Sequence, residues 1–167
     1  MYIKQIITNT LIFLFLFLCL HFTLHSGNLI NIKAKCIRVI DGDTIIFEYY
    51  SLPIKVRLKY VDAYETRKSK HLEKQKEITK LSEQEILLLG ELASKLAKSL
   101  IKENHIYCIQ IDKDNPTGFY GRYIGTVYIT DECKGLTLSH ILLEANLAIP
   151  IKLYTKSNKN KQNNLNR

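Results

Sequence analysis

The sequence predicts a single α+β domain that is mainly β. Short runs rich in isoleucine, valine, phenylalanine and tyrosine, separated by turn residues, predict strands at residues 33–39, 44–50 and 54–61. An apolar stripe at helical spacing in residues 91–102 predicts a helix that covers the sheet. The chain has 167 residues, of which 46% are hydrophobic and 24% charged, so it is long enough to bury the core of one such domain.

The chain is basic, with a formal net charge of +8 and an isoelectric point near 9.3. A basic surface attracts polyanions, because each lysine or arginine that neutralises a phosphate releases condensed counterions. The same charge also serves solubility or attraction to a membrane surface. Composition alone therefore admits a nucleic-acid partner without selecting it.

The first 26 residues have the pattern of a secretory signal peptide. Lys4 is the only formally charged side chain before Lys33, and an uninterrupted apolar run follows it at residues 11–20. Residues 6–24 together are also just long enough to span a bilayer as an uncleaved anchor. We expect residues 1–26 to be a signal peptide or an N-terminal anchor. The domain is then secreted, periplasmic, or anchored facing outward.

Export places three cysteines in an oxidising compartment, namely Cys36, Cys108 and Cys133. Such surroundings allow one disulfide with one thiol left over, and the sequence leaves all three pairings open. The spacing of these cysteines matches no zinc-binding pattern. The sequence therefore indicates isolated cysteines or a single disulfide rather than a metal site.

The three strands predicted in the first half of the chain form an antiparallel meander. Asp-Gly-Asp at 41–43 is the turn of a hairpin between the first two strands. In the third strand, Leu58 and Tyr60 alternate with basic residues and are expected to face inward. Because the third strand runs back beside the second, Asp62 at its end returns near Asp43.

Two carboxylates that meet at one end of a sheet repel each other unless a proton or a cation lies between them. A hard divalent ion is the natural partner, and calcium fits best because it accepts carboxylates, carbonyls and waters in loose geometry. Taken alone, however, Asp-Gly-Asp-Thr at residues 41–44 is more typical of an ordinary hairpin turn.

Residues 66–89 form a basic segment, with six cationic side chains in its first half: Arg67, Lys68, Lys70, Lys74, Lys76 and Lys80. One interpretation is a mobile flap that grips a nucleic-acid backbone, and the other is a solvated surface helix or loop. Further along, strands are predicted at residues 106–111 and 120–129. Residues 155–167 are polar and low in complexity, so we expect them to be disordered.

Four motifs follow one another in order: Asp-Gly-Asp-Thr at 41–44, Val-Arg-Leu at 56–58, Val-Asp-Ala-Tyr-Glu at 61–65 and Tyr-Gly-Arg at 120–122. Together they resemble the staphylococcal nuclease (thermonuclease) family, over residues 33–154. The resemblance implies a five-stranded OB-fold-like barrel with two packed helices, the second within residues 136–148. It also implies calcium-dependent cleavage of DNA and RNA. Compared with the staphylococcal member, residues 66–89 are a longer basic insertion, and the C-terminal third helix is missing.

The resemblance also implies a metal site. Matched by position, Asp43 and Asp62 are the side-chain ligands of calcium, and the backbone carbonyl of Ala63 is a third ligand. Asp41 matches an acid that lies close to the metal without binding it directly.

The resemblance makes Glu65 the general base for the attacking water, and Arg57 and Arg122 the two residues that clamp the phosphate. The chemistry asks for such groups in any case. A phosphodiester is itself negative, so a metal and guanidinium groups must neutralise the charge that builds on its oxygens. Arginine suits this better than lysine, because its planar fork offers two parallel hydrogen bonds.

Some positions depart from the family pattern. Tyr64 replaces a common proline, which predicts a looser turn before the general base. Phe119 stands where the staphylococcal member has lysine, and Ser139 stands where asparagine is usual. In addition, Arg57 and Asp62 are an odd number of residues apart, so a regular strand would point them to opposite faces. A bulge or the curvature of the barrel must therefore intervene.

The sequence thus predicts an exported, calcium-dependent endonuclease that acts on DNA and RNA with little sequence preference. The alternative is a non-catalytic nucleic-acid-binding OB-fold module, in a free or membrane-anchored form. The full set of acids and arginines favours the endonuclease over the binding module, because nucleic-acid binding alone does not require all of these residues. We expect a monomer without an obligate protein partner, which contacts a membrane only through an uncleaved N-terminal segment.

Overall fold

The computed structural model describes residues 29–113, 116–118 and 121–154. The strands are β1 (Leu29–Val39), β2 (Thr44–Tyr49), β3 (Leu52–Leu58), β4 (Val61–Ala63), β5 (Ile106–Asp112), β6 (Tyr123–Val127) and β7 (Ala148–Pro150). The helices are α1 (Lys70–Thr79), α2 (Glu83–Leu100) and α3 (Leu138–Glu144). The predicted signal peptide or anchor, the polar tail and the missing third helix concern residues outside this described part.

Five strands close into a barrel in the order β1-β2-β3-β6-β5. The long strand β1 pairs with β5 over its first part and with β2 towards its end. Its register shifts between Cys36 and Arg38, and such an irregularity bends a strand from one partner towards the next. Strands β3 and β6 complete the barrel in parallel, with Arg57 opposite Ile124. The α+β, mainly β class and the OB-fold-like barrel are therefore confirmed.

The barrel core follows the two-residue period of its strands. Ile45 and Phe47 in β2 and Val56 and Leu58 in β3 are buried, because alternate side chains of a strand point to the same face. The ring of Phe47 meets that of Tyr107 edge to face, with 6.4 Å between centroids. Burial of side chains of this size contributes about 1.5–3 kcal/mol each.

The strand predicted at residues 54–61 is in fact two strands. β3 ends at Leu58, and β4 begins at Val61 in a separate two-stranded sheet with β7. Between them, Tyr60 has a left-handed backbone (φ 71°), and 64% of its surface is exposed. The expectation that Tyr60 faces inward is wrong, because this kink interrupts the alternation of the strand. The kink also lets Arg57 and Asp62 meet despite their odd spacing.

The kink is held by hydrogen bonds from the C-terminal half of the domain. Ser139 Oγ, on α3, donates to the carbonyl oxygen of Lys59 (3.1 Å). The backbone N–H of Ile151 donates to the carbonyl oxygen of Tyr60 (3.0 Å). Ser139 therefore makes a structural hydrogen bond at the position where the family usually has asparagine.

The described residues contain three helices where two were predicted, because the basic insertion contains a helix of its own. α1 begins after Ser69, whose hydroxyl caps its first turn. α2 begins at Glu83 rather than at residue 91, because Ser82 and Glu85 form a capping box at that point. None of the helices in the described part is long and apolar enough to cross a membrane.

Two glycines allow α2 to approach the end of the barrel. A Cβ atom on Gly90 would lie 2.3 Å from the carbonyl oxygen of Glu65, which is too close for any real side chain. A Cβ atom on Gly42 would lie 2.8 Å from the Cβ atoms of both Ala63 and Ala93. The glycine of the Asp-Gly-Asp turn is therefore required by packing against β4 and α2, and not only by turn geometry.

A disulfide between Cys108 and Cys133 ties β5 to the segment that follows β6. A backbone hydrogen bond brings the two segments together, since the N–H of Cys108 donates to the carbonyl oxygen of Thr130 (3.0 Å). Cys36 is a buried free thiol. Its burial, helped by the charge of Glu103, raises the pKa of Cys36 to about 11. Of the three pairings that the sequence left open, the structure has this one.

We predict that the double substitution Cys108→Ser and Cys133→Ser lowers the free energy of unfolding by about 3 kcal/mol, because the disulfide closes a loop with a sequence separation of 25. Urea denaturation without reductant measures the difference between the natural protein and the variant. Reductant is the control, since both proteins should then unfold at nearly the same urea concentration. A difference that persists in reductant would assign the loss to packing of the serines.

Candidate active site

A cavity of about 330 Å³ opens at one end of the barrel. Six of the seven residues predicted to form the site line it: Asp41, Asp43, Arg57, Ala63, Glu65 and Arg122. The seventh, Asp62, is buried and is absent from the cavity wall. Residues from the β1–β2 turn, β3, β4 and the approach to β6 thus converge on one space.

The two carboxylates that the sequence brings together are joined by Arg57. Its Nη1 atom donates to Oδ1 of Asp43 (2.6 Å), and its Nη2 atom donates to Oδ1 of Asp62. The hairpin register explains the first contact, because Arg57 lies opposite Thr44, the neighbour of Asp43. Burial lowers the pKa of Arg57, but the two carboxylates outweigh burial and raise the pKa above its usual value. The guanidinium therefore stays charged.

Asp43 lies almost completely buried at the start of β2. Its Oδ2 atom accepts a hydrogen bond from the backbone N–H of Ala63 (2.7 Å). The pKa of Asp43 is raised to about 7, chiefly by burial; Arg57 opposes this shift, and the charges of Asp41 and Asp62 add to it. A carboxylate in such surroundings is stabilised in its ionised form by any further cation that enters the cavity.

Asp62 makes polar contacts with four residues. Arg57 donates to its Oδ1 atom. Gln75 Nε2 and His71 Nε2 each lie 2.8 Å from its Oδ2 atom, and the hydroxyl of Tyr154 donates to the same oxygen. Burial alone would raise the pKa of Asp62, but the hydrogen bonds from His71 and Tyr154 and the charge of Arg57 lower it to about 2. Protein donors alone thus keep this carboxylate ionised.

The cavity wall offers the ligand atoms that calcium prefers. No group of three or more His, Cys, Asp or Glu side chains within the described residues forms a preorganised metal cluster. Asp41, Asp43, Ala63 and Glu65 nevertheless line the cavity, and carboxylate and carbonyl groups of this kind fit a hard divalent cation. The carbonyl oxygen of Ala63 also accepts a hydrogen bond from Gln75 Nε2 (2.9 Å). Asp62 differs, because it does not line the cavity; its Oδ2 atom has three protein partners, and its Oδ1 atom accepts from Arg57.

Glu65 lines the cavity from a turn that two helices support. Its backbone N–H donates to Oε1 of Gln75 (3.0 Å), and its Oε2 atom accepts a hydrogen bond from the hydroxyl of Ser69 (3.3 Å). On the other side, α2 packs against its carbonyl group at Gly90. The replacement of a proline by Tyr64 predicts a looser turn, but these contacts from α1 and α2 hold it.

Arg122 reaches the cavity because β6 lies beside β3. It directly precedes β6, in which Ile124 is paired with Arg57. Gly121 next to it has a left-handed backbone (φ 66°), which glycine adopts without the steric cost of a side chain. Two arginines that are far apart in the sequence thus line one cavity. Phe119 lies outside the described residues.

Sequence reasoning missed three side chains that contact the buried acid of β4: His71, Gln75 and Tyr154. The rings of His71 and Tyr154 stack, with 5.8 Å between centroids. Helix α1 is neither a free flap nor a fully solvated helix, because Leu72 and Gln75 are completely buried. The three-residue spacing of Leu72 and Gln75 places both on one face of a helix, which could have indicated a buried face. Because Gln75 is polar, the sequence did not suggest that it is buried.

Comparison with known proteins finds a protein family and individual relatives that are similar to this chain. A family model described as staphylococcal nuclease homologue matches residues 55–167. Protein ParB of Escherichia coli is 28% identical to this chain over 102 residues, which are 61% of this chain and 45% of ParB. The chain therefore spans less than half of the length of that relative. The family match contains the positions of five of the seven predicted site residues: Arg57, Asp62, Ala63, Glu65 and Arg122.

We predict that Tyr154→Phe lowers the free energy of unfolding by about 2 kcal/mol, because it removes a hydrogen bond to a buried, ionised carboxylate. Chemical denaturation measures the loss. Tyr60→Phe is the matched control, since the Tyr60 ring is 64% exposed. Equal losses in the two variants would contradict the importance of the Tyr154 hydroxyl.

Proposed function

Because the chain belongs to the staphylococcal nuclease family, we propose that it is an exported, calcium-dependent endonuclease that hydrolyses phosphodiester bonds of DNA and RNA with little sequence preference. The family match covers about two thirds of the chain and supports nuclease activity on nucleic acids. The observation that carries the proposal is one cavity in which acids and guanidinium groups meet. The acids in its wall are Asp41, Asp43 and Glu65, and the arginines are Arg57, Arg67 and Arg122.

In this proposal, Arg57 and Arg122 bind the phosphate that is cleaved. Arg57 is fixed by the carboxylates on either side of it, so it needs little reorganisation as negative charge develops on the phosphate. Those contacts use two of its five N–H donors, so up to three can donate to the substrate. The positive charge of the chain adds a sequence-independent attraction to the nucleic-acid backbone.

Glu65 acts on the attacking water. Its carboxylate accepts a proton while the water oxygen forms a bond to phosphorus. The bond between phosphorus and the ester oxygen breaks, and that oxygen takes a proton from solvent water. A positioned general base of this kind contributes about 10²–10⁴-fold to the rate. The hydrogen bonds on the backbone and the carboxylate of Glu65 support this role, because they restrict the directions in which the side chain can point.

We propose Asp43 and the carbonyl oxygen of Ala63 as calcium ligands on the cavity wall, with Asp41 beside them. When bound, calcium supplies positive charge that neutralises phosphate oxygens and makes a bound water easier to deprotonate. Asp62, the other side-chain ligand in the proposal, would contribute its Oδ1 atom, which is less crowded than Oδ2. The raised pKa of Asp43 supports this assignment, since a bound cation offsets the cost of its buried charge.

Export remains part of the proposal. It is supported by the apolar run at residues 11–20 that follows Lys4, a pattern typical of signal peptides. The disulfide between Cys108 and Cys133 is a second support, because disulfides form and persist in oxidising compartments outside the cytoplasm.

We predict that the purified protein cleaves single-stranded DNA and RNA in the presence of calcium, and that a chelator abolishes cleavage. Gel electrophoresis of the digested nucleic acids measures both effects. Circular dichroism in chelator is the control that the protein stays folded without the metal. A folded protein that binds DNA but never cleaves it would overturn the enzyme proposal in favour of a non-catalytic binding module.

We predict that Glu65→Gln lowers kcat by about 10²–10⁴-fold and changes KM little, because it removes the proton acceptor and keeps the shape of the side chain. Steady-state kinetics with calcium and a short DNA measure the two constants. Glu144→Gln, an exposed position on α3, is the control for loss of one negative charge. Nearly full activity of Glu65→Gln would remove Glu65 from the role of general base.

A further inference from the structure

Gln75 is a completely buried polar side chain on the helix of the basic insertion. Its Nε2 group donates to Oδ2 of Asp62 (2.8 Å) and to the carbonyl oxygen of Ala63 (2.9 Å). Its Oε1 atom accepts from the backbone N–H of Glu65 (3.0 Å). One amide therefore contacts three of the four residues from 62 to 65.

These three hydrogen bonds enclose the turn that presents the general base. The carbonyl of Ala63 and the N–H of Glu65 lie on either side of Tyr64, and both bind the same side chain. We propose that Gln75 is a positioning residue for the reaction: it fixes the backbone of residues 62–65 and thereby the direction of the Glu65 carboxylate. This inference rests on the proposed nuclease function.

Helix α1 is built so that Gln75 stays in place. Ser69 caps the helix by accepting from the N–H of Leu72 (3.0 Å), and Leu72 is completely buried one turn before Gln75. The hydroxyl of Ser69 also donates to Oε2 of Glu65 (3.3 Å), so the start of the helix contacts the same residue. The insertion thus acts on the site through its buried face, and its lysines are not needed for this role.

The expected effect on catalysis is large because the amide is buried. A variant without the amide leaves the N–H of Glu65 and the carbonyl of Ala63 without these partners. The turn then relaxes, and a displacement of about 1 Å at a catalytic group can lower a rate by about 100-fold. Substrate binding is assigned to Arg57 and Arg122 rather than to Gln75, so at saturating calcium KM should change little.

The experiment compares Gln75→Met with Leu72→Met in the full chain. Both variants place methionine at a buried position of α1, but only the first removes hydrogen bonds to the turn. We expect Gln75→Met to lower kcat by about 10–100-fold with KM within about twofold, and Leu72→Met to keep kcat within about twofold. If Gln75→Met does not fold, Gln75→Asn, whose shorter amide cannot span all three partners, replaces it with the same expectation.

A double-mutant cycle with Glu65→Gln separates positioning from general loss of structure. If Gln75 acts through Glu65, Gln75→Met should cause little further loss of kcat in the Glu65→Gln background. Fully additive losses, or an equal loss in Leu72→Met, would overturn the proposal.

Hydrogen exchange gives a readout that does not depend on activity. The amide proton of Glu65 should exchange faster in Gln75→Met than in Leu72→Met, because only the first variant removes its acceptor. If the natural protein cleaves no nucleic acid, the nuclease proposal fails, and this exchange then decides whether Gln75 fixes the turn. Unchanged exchange at Glu65 would overturn that role.

Discussion

The guanidinium of Arg57, bound between the carboxylates of Asp43 and Asp62, is the interaction on which the rest of the site depends. Two buried carboxylates destabilise each other, and this shared cation offsets part of that cost: the pKa of Asp62 is lowered to about 2, whereas burial still raises the pKa of Asp43 to about 7. Loss of one partner from such a network typically costs about 3–5 kcal/mol, because a buried charge is left uncompensated. The same contacts join the residue before β2 to β4. A substitution that changes the charges of this cluster is therefore expected also to shift the backbone at this end of the barrel.

The surrounding elements keep this charged cluster buried and fixed. Helix α2 approaches closely because Gly42 and Gly90 leave room for it. Helix α1 and Tyr154 supply donors to Asp62. The basic insertion is therefore more than a surface feature, since its inner face contributes polar contacts to the site. The two buried acids differ as a result: Asp62 is enclosed by donors away from the cavity, and Asp43 lines the cavity into which a cation can enter.

Much of the fold and of the site could be predicted from the sequence, because local patterns determine them. Strand alternation predicted the β1–β2–β3 meander, and the meander predicted that Asp43 and Asp62 meet. The kink of the chain between β3 and β4 could not be predicted from strand alternation. The left-handed backbone of Tyr60 is supported by hydrogen bonds on the carbonyl groups of residues 59 and 60, whose donors lie on α3 and at Ile151, far away in the sequence.

The sequence by itself determined which chemical groups are present: the acids, the two arginines and the turn that carries Glu65. Only the tertiary structure decided which of these groups contact one another. It placed Arg57 between the two acids and enclosed Asp62 in donors, and it recruited Gln75 from a helix whose polar residue looked like part of a solvated face. The physical reason is that a buried polar atom must find a partner wherever the fold provides one, and no local periodicity encodes such long-range pairing.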